Sequence, residues 1–305
     1  ERVVVELEYG RGTLPVHFPD GCEVTVIRKN SMTVIEDTAS AVETALAAPV
    51  AASPLAELAR GRRSACILIC DVTRPVPNRL FLGPMIRTLL EGGVPADAIT
   101  VLVATGLHRP NEGDELLEVV GDRWVLETVA VKNHFAWDDS AHVDLGVTAT
   151  RGTPVVLNRD FVEADLRIAT GLVEPHFMAG WSGGRKVVAP GIAHETTIRT
   201  FHSARFMEDP AAIQCNLERN PLHEEQLEIV RMLRNVYALN TVIDENRSLC
   251  FVNFGEIIAS HLEAVAFVHD ACVVPVERRF NTVVTSAAGY PLEFGTISVS
   301  DGISM

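Results

Sequence analysis

Between His176 and His202 the chain places three imidazoles, a Ser-Gly-Gly turn and a lysine, in the stretch "HFMAGWSGGRKVVAPGIAHETTIRTFH". Ser182, Gly183 and Gly184 allow a backbone to approach an anion closely, because glycine has no Cβ and turns freely. Lys186 follows at once. A lysine holds phosphate as a point charge, or acts as a nucleophile once deprotonated. Arg185 beside it favours the neutral amine, since like charges oppose each other's ionisation. The spacing is not that of a P-loop, which requires G-x-x-x-x-G-K-[ST]. The bland alternative is a glycine turn flanked by exposed basic residues. His202 is able to ligate a metal if the other ligands come from elsewhere, and its spacing fits neither HExxH nor a zinc finger.

Two earlier clusters carry the same kind of chemistry. "DVTRPVPN" supplies Asp71, Val72, Thr73 and Arg74. Arg74 suits a bidentate contact to phosphate, with Thr73 adding a hydrogen bond. Asp71 would orient Arg74 or a ribose hydroxyl. A capped loop with an internal Asp–Arg pair is the competing reading. "ATGLHRP" places His108 after a glycine bend, where an imidazole is suited to general-base work. Arg109 and Pro110 shape the turn. His134, His142, His194, His223, His261 and His269 read as surface residues, and Trp181 as a packing residue.

These residues need a scaffold. "SACILIC", "AITVLVATG" and "ADLRIATGLVE" are apolar runs that read as strands buried on both faces. Each ends in one of the polar clusters. The first two are joined by "NRLFLGPMIRTLLEGG", a helical pattern with a glycine stop, as in a right-handed βαβ crossover. Ligands of open parallel sheets bind outside the carboxyl ends of the strands, so the three clusters are expected to converge in one crevice. "RVVVELEY", "TLPVHF" and "EVTVI" read as short strands, and "TASAVETALAAP" and "SPLAELARG" as helices. Further on, "NPLHEEQLEIVRMLRNV" and "GEIIASHLEAVAFVHDACVV" read as helices. Between them, "YALNTVIDENRSLCFVNFGE" reads as two strands around a turn. The expected fold is α/β, a Rossmann-like parallel or mixed sheet with flanking helices. Residues 1–275 are expected to form the cofactor-binding domain, and 276–305 the start of a truncated or altered second domain.

Composition narrows the function classes. The chain has 305 residues, a net charge of −14 and 47% hydrophobic residues, enough for a large core. An acidic balance argues against a nucleic-acid partner, which requires a basic face. No apolar run reaches the length of a membrane span, and no signal peptide is visible at "ERVVVELEYG". Six scattered cysteines without a CxxC pair suggest reduced thiols and a cytoplasmic setting.

Taken together, "DVTRP", "GLHRP", "EPHFMAGWSGGRKVVAPGI", the following "FH" and "NPLHEE" resemble the nickel-dependent lactate racemase family over roughly residues 1–292. The resemblance implies the N-terminal domain of a two-domain racemase fold. It implies a nickel-pincer nucleotide, a pyridinium-3,5-bisthiocarboxylic acid mononucleotide carrying nickel, tethered to Lys186 through a thioamide. His202 then matches the nickel ligand, His108 and His176 the two acid/bases, and Asp71–Arg74 the segment holding the cofactor phosphate. A small 2-hydroxy acid would be racemised or epimerised by hydride transfer to the cofactor, and cofactor-synthesis enzymes would be partners. The end, "EFGTISVSDGISM", departs from the family and looks like a short piece of dihydroxy-acid dehydratases. A truncated, inactive homologue, a non-catalytic nucleotide- or phosphate-binding domain and a histidine-zinc hydrolase stay open as alternatives.

Overall fold

A computed structural model describes residues 3–286 and, as backbone alone, 297–301. The chain falls into two compact units. One spans Ser31–Cys272; the other draws on the two ends, up to Asn30 and from Val273.

The larger unit is built on a six-stranded sheet. Its strands are β1 (Ala65–Cys70), β2 (Ile99–Ala104), β3 (Ala130–Asn133), β4 (Leu166–Leu172), β5 (Val236–Ile243) and β6 (Leu249–Glu256). They lie in the order β6-β5-β4-β1-β2-β3. Strands β1 to β5 run parallel, and β6 closes one edge antiparallel to β5. The apolar run of β1 is explained by this central place. Cys66 and Leu68 pack into one core, while Ile67 and Ile69 pack into another. The side chains alternate faces, and both faces are covered.

Helix α1 (Asn78–Glu91) connects β1 to β2 and buries Phe81, Leu82, Met85, Ile86 and Leu89. That spacing is one helical face, so the crossover is held by a single apolar stripe. The others that position the site are α2 (Arg185–Val188), α3 (Glu195–Phe201), α4 (Pro221–Arg231) and α5 (Ile257–Cys272). Asn220 starts α4, its side-chain oxygen accepting from the N–H groups of Leu222 and His223. Pro221 occupies the first helical position, where a missing N–H costs nothing.

The topology places the ligand crevice. From β1 the chain moves one way across the sheet to β2 and β3, then returns to β4 on the other side of β1. The carboxyl ends of β1, β2 and β4 therefore flank the point where the strand order reverses.

In the smaller unit, Val4–Tyr9 and Gly12–His17 form an antiparallel hairpin. Thr282–Ser286 pairs with Ile297–Asp301, also antiparallel. The expected strand "EVTVI" does not form: residues 23–27 lie outside any ladder, and Val26 and Ile27 are exposed. Alternation alone does not make a strand when no partner offers hydrogen bonds. No helix among the described residues is long and apolar enough to cross a membrane.

Candidate active site

The three strand ends and α2 surround one cavity of about 310 Å³. Asp71, Thr73 and Arg74 line it from the end of β1, and His108 from the end of β2. His176, Ser182, Gly183 and Lys186 line it from the segment after β4, and His202 from the end of α3. Val72 and Gly184 are the two candidate residues outside the lining. The Val72 N–H donates to Asn111 Oδ1 at 3.1 Å, which fixes the loop that carries Asp71. Gly184 has φ of 50°, and a Cβ there would lie 2.8 Å from ring atoms of His261. It is a packing glycine that admits a buried imidazole. Gly184→Ala is expected to lower unfolding stability by about 1–3 kcal/mol in denaturant titration, the cost of overpacking joined to a left-handed backbone.

Asp71 and His108 form a dyad. The Asp71 side chain is buried and its Oδ2 lies 2.6 Å from His108 Nδ1. Its other oxygen accepts from the Thr73 hydroxyl at 2.6 Å and the Thr73 N–H at 3.2 Å. A carboxylate accepts only, so His108 carries its proton on Nδ1 and keeps the Nε2 lone pair free. The imidazole itself is well exposed. Asp71 is thus spent on Thr73 and His108 rather than on Arg74. Arg74 stands beside Glu174, with Nε 3.8 Å from Oε1.

His176 has the opposite tautomer. Its Nδ1 accepts from the backbone N–H groups of Met178 at 3.3 Å and Ala179 at 3.1 Å, so the proton sits on Nε2. Burial, followed by the neighbouring cations Lys186, Arg74 and Arg185, drives its pKa down to about 2. His176 is therefore a neutral N–H donor near neutral pH.

Lys186 lines the same cavity. Burial, with Arg74 and Arg185 adding to it, pulls its amine down to about 8. Near neutral pH part of the population is therefore the free amine, the nucleophilic form. The Ser-Gly-Gly turn is braced from behind. The Ser182 hydroxyl donates to Leu172 O at 2.7 Å and accepts from the Glu174 N–H at 3.0 Å. His202 Nδ1 donates to Ile198 O at 2.8 Å, which leaves Nε2 unprotonated. An imidazole whose far nitrogen is fixed on a carbonyl is the usual form of a metal ligand.

Several readings of the sequence are corrected. His134, His142, His194, His223 and His261 are buried, not surface residues. His194 caps α3, its side chain accepting from the Thr196 N–H. His134, His142 and His194 stack edge to face, with centroids 5.1 and 5.0 Å apart. His269 is the one that is exposed as expected. Trp181 packs in a core cluster, as expected. Cys70 lines the cavity, although burial pushes its thiol up to about 12 and so keeps it unreactive. Asn111, Glu174 and Gly191 were not singled out from sequence. Asn111 closely follows "GLHR", and a buried amide there was the missing signal.

Comparison with known proteins decides the family. Residues 9–214 match the lactate racemase N-terminal domain. The lactate racemase of Lactiplantibacillus plantarum is 32% identical over 293 residues, covering 95% of this chain and 68% of that protein. The chain belongs to the lactate racemase family. The fold agrees: the lactate racemase apoprotein from Thermoanaerobacterium thermosaccharolyticum superposes with a TM-score of 0.85 at 30% identity, over 95% of this chain and 67% of that one. The sheet and its flanking helices are the α/β racemase architecture, and family membership makes the chain a racemase-type isomerase. A separate short likeness joins it to a dihydroxy-acid dehydratase of Mycobacterium bovis, 65% identical over 37 residues but only 6% of that enzyme. That share is too small to carry an activity.

Proposed function

We propose that this lactate racemase family member is a nickel-pincer-nucleotide-dependent racemase or epimerase of a small 2-hydroxy acid. The observation that carries this is one cavity lined by a partly neutral lysine amine, an imidazole with a free Nε2 and two further imidazoles of opposite tautomer. The donor set suits such a group. Lys186 would hold it through a thioamide, His202 Nε2 would face the nickel, and Arg74 with Thr73 would take the phosphate. When bound, the cofactor supplies a cationic ring able to accept the substrate's Cα hydride. Among the described residues no three His, Cys, Asp or Glu side chains gather as a metal site, which disfavours the histidine-zinc hydrolase.

The chain's own residues handle the proton. His108 Nε2 takes the substrate hydroxyl proton, and the Asp71 carboxylate stabilises the imidazolium that results. His176 offers Nε2–H to a substrate oxygen. To take its own turn as base, His176 must move that proton to Nδ1, which breaks its bonds from Met178 and Ala179. The two histidines are therefore unequal partners. The reading places the chain in the cytoplasm, with the cofactor-synthesis enzymes as partners.

Two experiments follow. After co-expression with those enzymes, chiral analysis should show either lactate enantiomer, or a related 2-hydroxy acid, passing to the mixture of both. A chain that carries the adduct and inverts no 2-hydroxy acid refutes the reading. Asp71→Asn should retain the adduct and lower kcat by roughly 10²-fold or more with little change in KM, because an amide at this position favours the wrong His108 tautomer. Steady-state kinetics checks it.

A further inference from the structure

Arg185 is a buried group beside the site that the chemistry above leaves unused. It is 1% exposed, and among the described residues no carboxylate lies within ion-pair distance of it. Its guanidinium is instead enclosed by neutral acceptors. Nη1 donates to Trp181 O at 2.7 Å and Nη2 to Ala179 O at 2.9 Å. Nε donates to His223 Nδ1 at 3.0 Å. A longer contact joins Nη1 to Gly183 O at 3.3 Å. His261 stands alongside, its Nε2 bonded to Ser182 O at 2.8 Å and 3.2 Å from Nη1. His223 accepts on Nδ1 and is therefore neutral, while His261 donates from Nε2. Burial beside the guanidinium keeps both well below the ordinary imidazole range.

A buried cation without a counter-ion is expensive, by several kcal/mol in general. An aliphatic side chain in its place would be simpler to bury. The guanidinium does two things that such a side chain would not. It ties together the carbonyls of Ala179, Trp181 and Gly183, the turn that leads into Lys186. It also places a positive charge on the residue before Lys186, and that charge opposes ionisation of the amine.

Building on the lysine's role above, we propose that Arg185 is a positioning residue for Lys186, bracing its turn and holding its amine in the neutral, nucleophilic form. Other groups face Lys186 too. Arg74 acts in the same sense, and Cys70 and Glu174 act against it. Of the two cations, only Arg185 lacks a carboxylate beside it, because Arg74 has Glu174. Its effect is therefore the one that an introduced carboxylate would cancel.

The test uses the full-length chain without cofactor, so it does not depend on catalysis. Trace acetic anhydride is applied across pH 6–11, and the acetylated Lys186 peptide is quantified by mass spectrometry against exposed Lys132. In the unaltered protein Lys186 should label with a midpoint near pH 8. His223→Glu places a carboxylate against Arg185 Nε and neutralises the fixed charge with the fork still in place. The midpoint should then rise by about half a pH unit, so that at pH 8 the reactive fraction falls from about one half to about one quarter. His223→Gln keeps a neutral acceptor and should leave the midpoint in place. Arg185→Met should shift it like His223→Glu if it folds. A folded His223→Glu protein, checked by circular dichroism, that labels with the unaltered midpoint overturns the proposal. So does an equal shift in His223→Gln, which would mean that packing and not charge sets the amine. If the midpoints shift as expected but no nickel adduct forms on co-expression, the cofactor reading fails while the role of Arg185 stands.

Discussion

Lys186→Ala is expected to give a folded chain that carries no covalent adduct after co-expression with the cofactor-making enzymes. The loss should be complete, because the thioamide requires this amine and the cavity lining holds no second lysine among the described residues. Folding should survive for a specific reason. Lys186 makes no ion pair among the described residues, and burial already pulls its amine down to about 8, so its removal strands no opposite charge, which is the event that makes charge deletions severe. Lys186→Arg is the matching control. It keeps a cation for the phosphate but not a nucleophile, so it too should lack the adduct. Below pH 7 adduct formation on the unaltered chain should slow, since Lys186 becomes an ammonium as pH falls through about 8. Intact mass after timed incubation reads all three.

His108→Ala is expected to keep the adduct and lose turnover by about 10²- to 10⁴-fold, the usual worth of a positioned acid/base. His108 makes no contact that the tether needs. Its ring is exposed, and Asp71 keeps its two bonds from Thr73 when the imidazole is gone. The space left at the cavity rim is open to solvent, so added imidazole should restore part of the rate. Normal racemisation by His108→Ala would remove His108 from the mechanism. Together the two variants separate attachment from chemistry: one loses the cofactor, the other only the proton transfer.

Much of this architecture is readable in the residues themselves. The runs "SACILIC", "AITVLVATG" and "ADLRIATGLVE" leave little choice but buried parallel strands, and each ends in its polar cluster at the sheet's carboxyl edge. That edge explains why His108 and Lys186, distant in sequence, line one cavity. What sequence does not carry is the burial of polar groups. His223, His261 and Arg185 look like surface residues by type, and become interior only because α4, α5 and α2 meet there. The tautomers of His108 and His176 are equally invisible, since they depend on Asp71 and on two backbone amides. Gly184 shows the converse case. It reads as part of an anion turn, yet it serves the packing of His261. Strands β3 and Thr282–Ser286 are short or peripheral, and periodicity alone says little of their pairing.

The central claim is that one cavity binds a single nucleotide-sized anion between a lysine nucleophile and a histidine metal ligand. Peptide mapping of the chain from a cofactor-competent host, with nickel measured on the same sample, tests it most directly. An adduct on Lys186 and close to one nickel per chain are expected, with the nickel but not the adduct lost in His202→Ala. An unmodified Lys186 in that host, or an adduct on another residue, would contradict it.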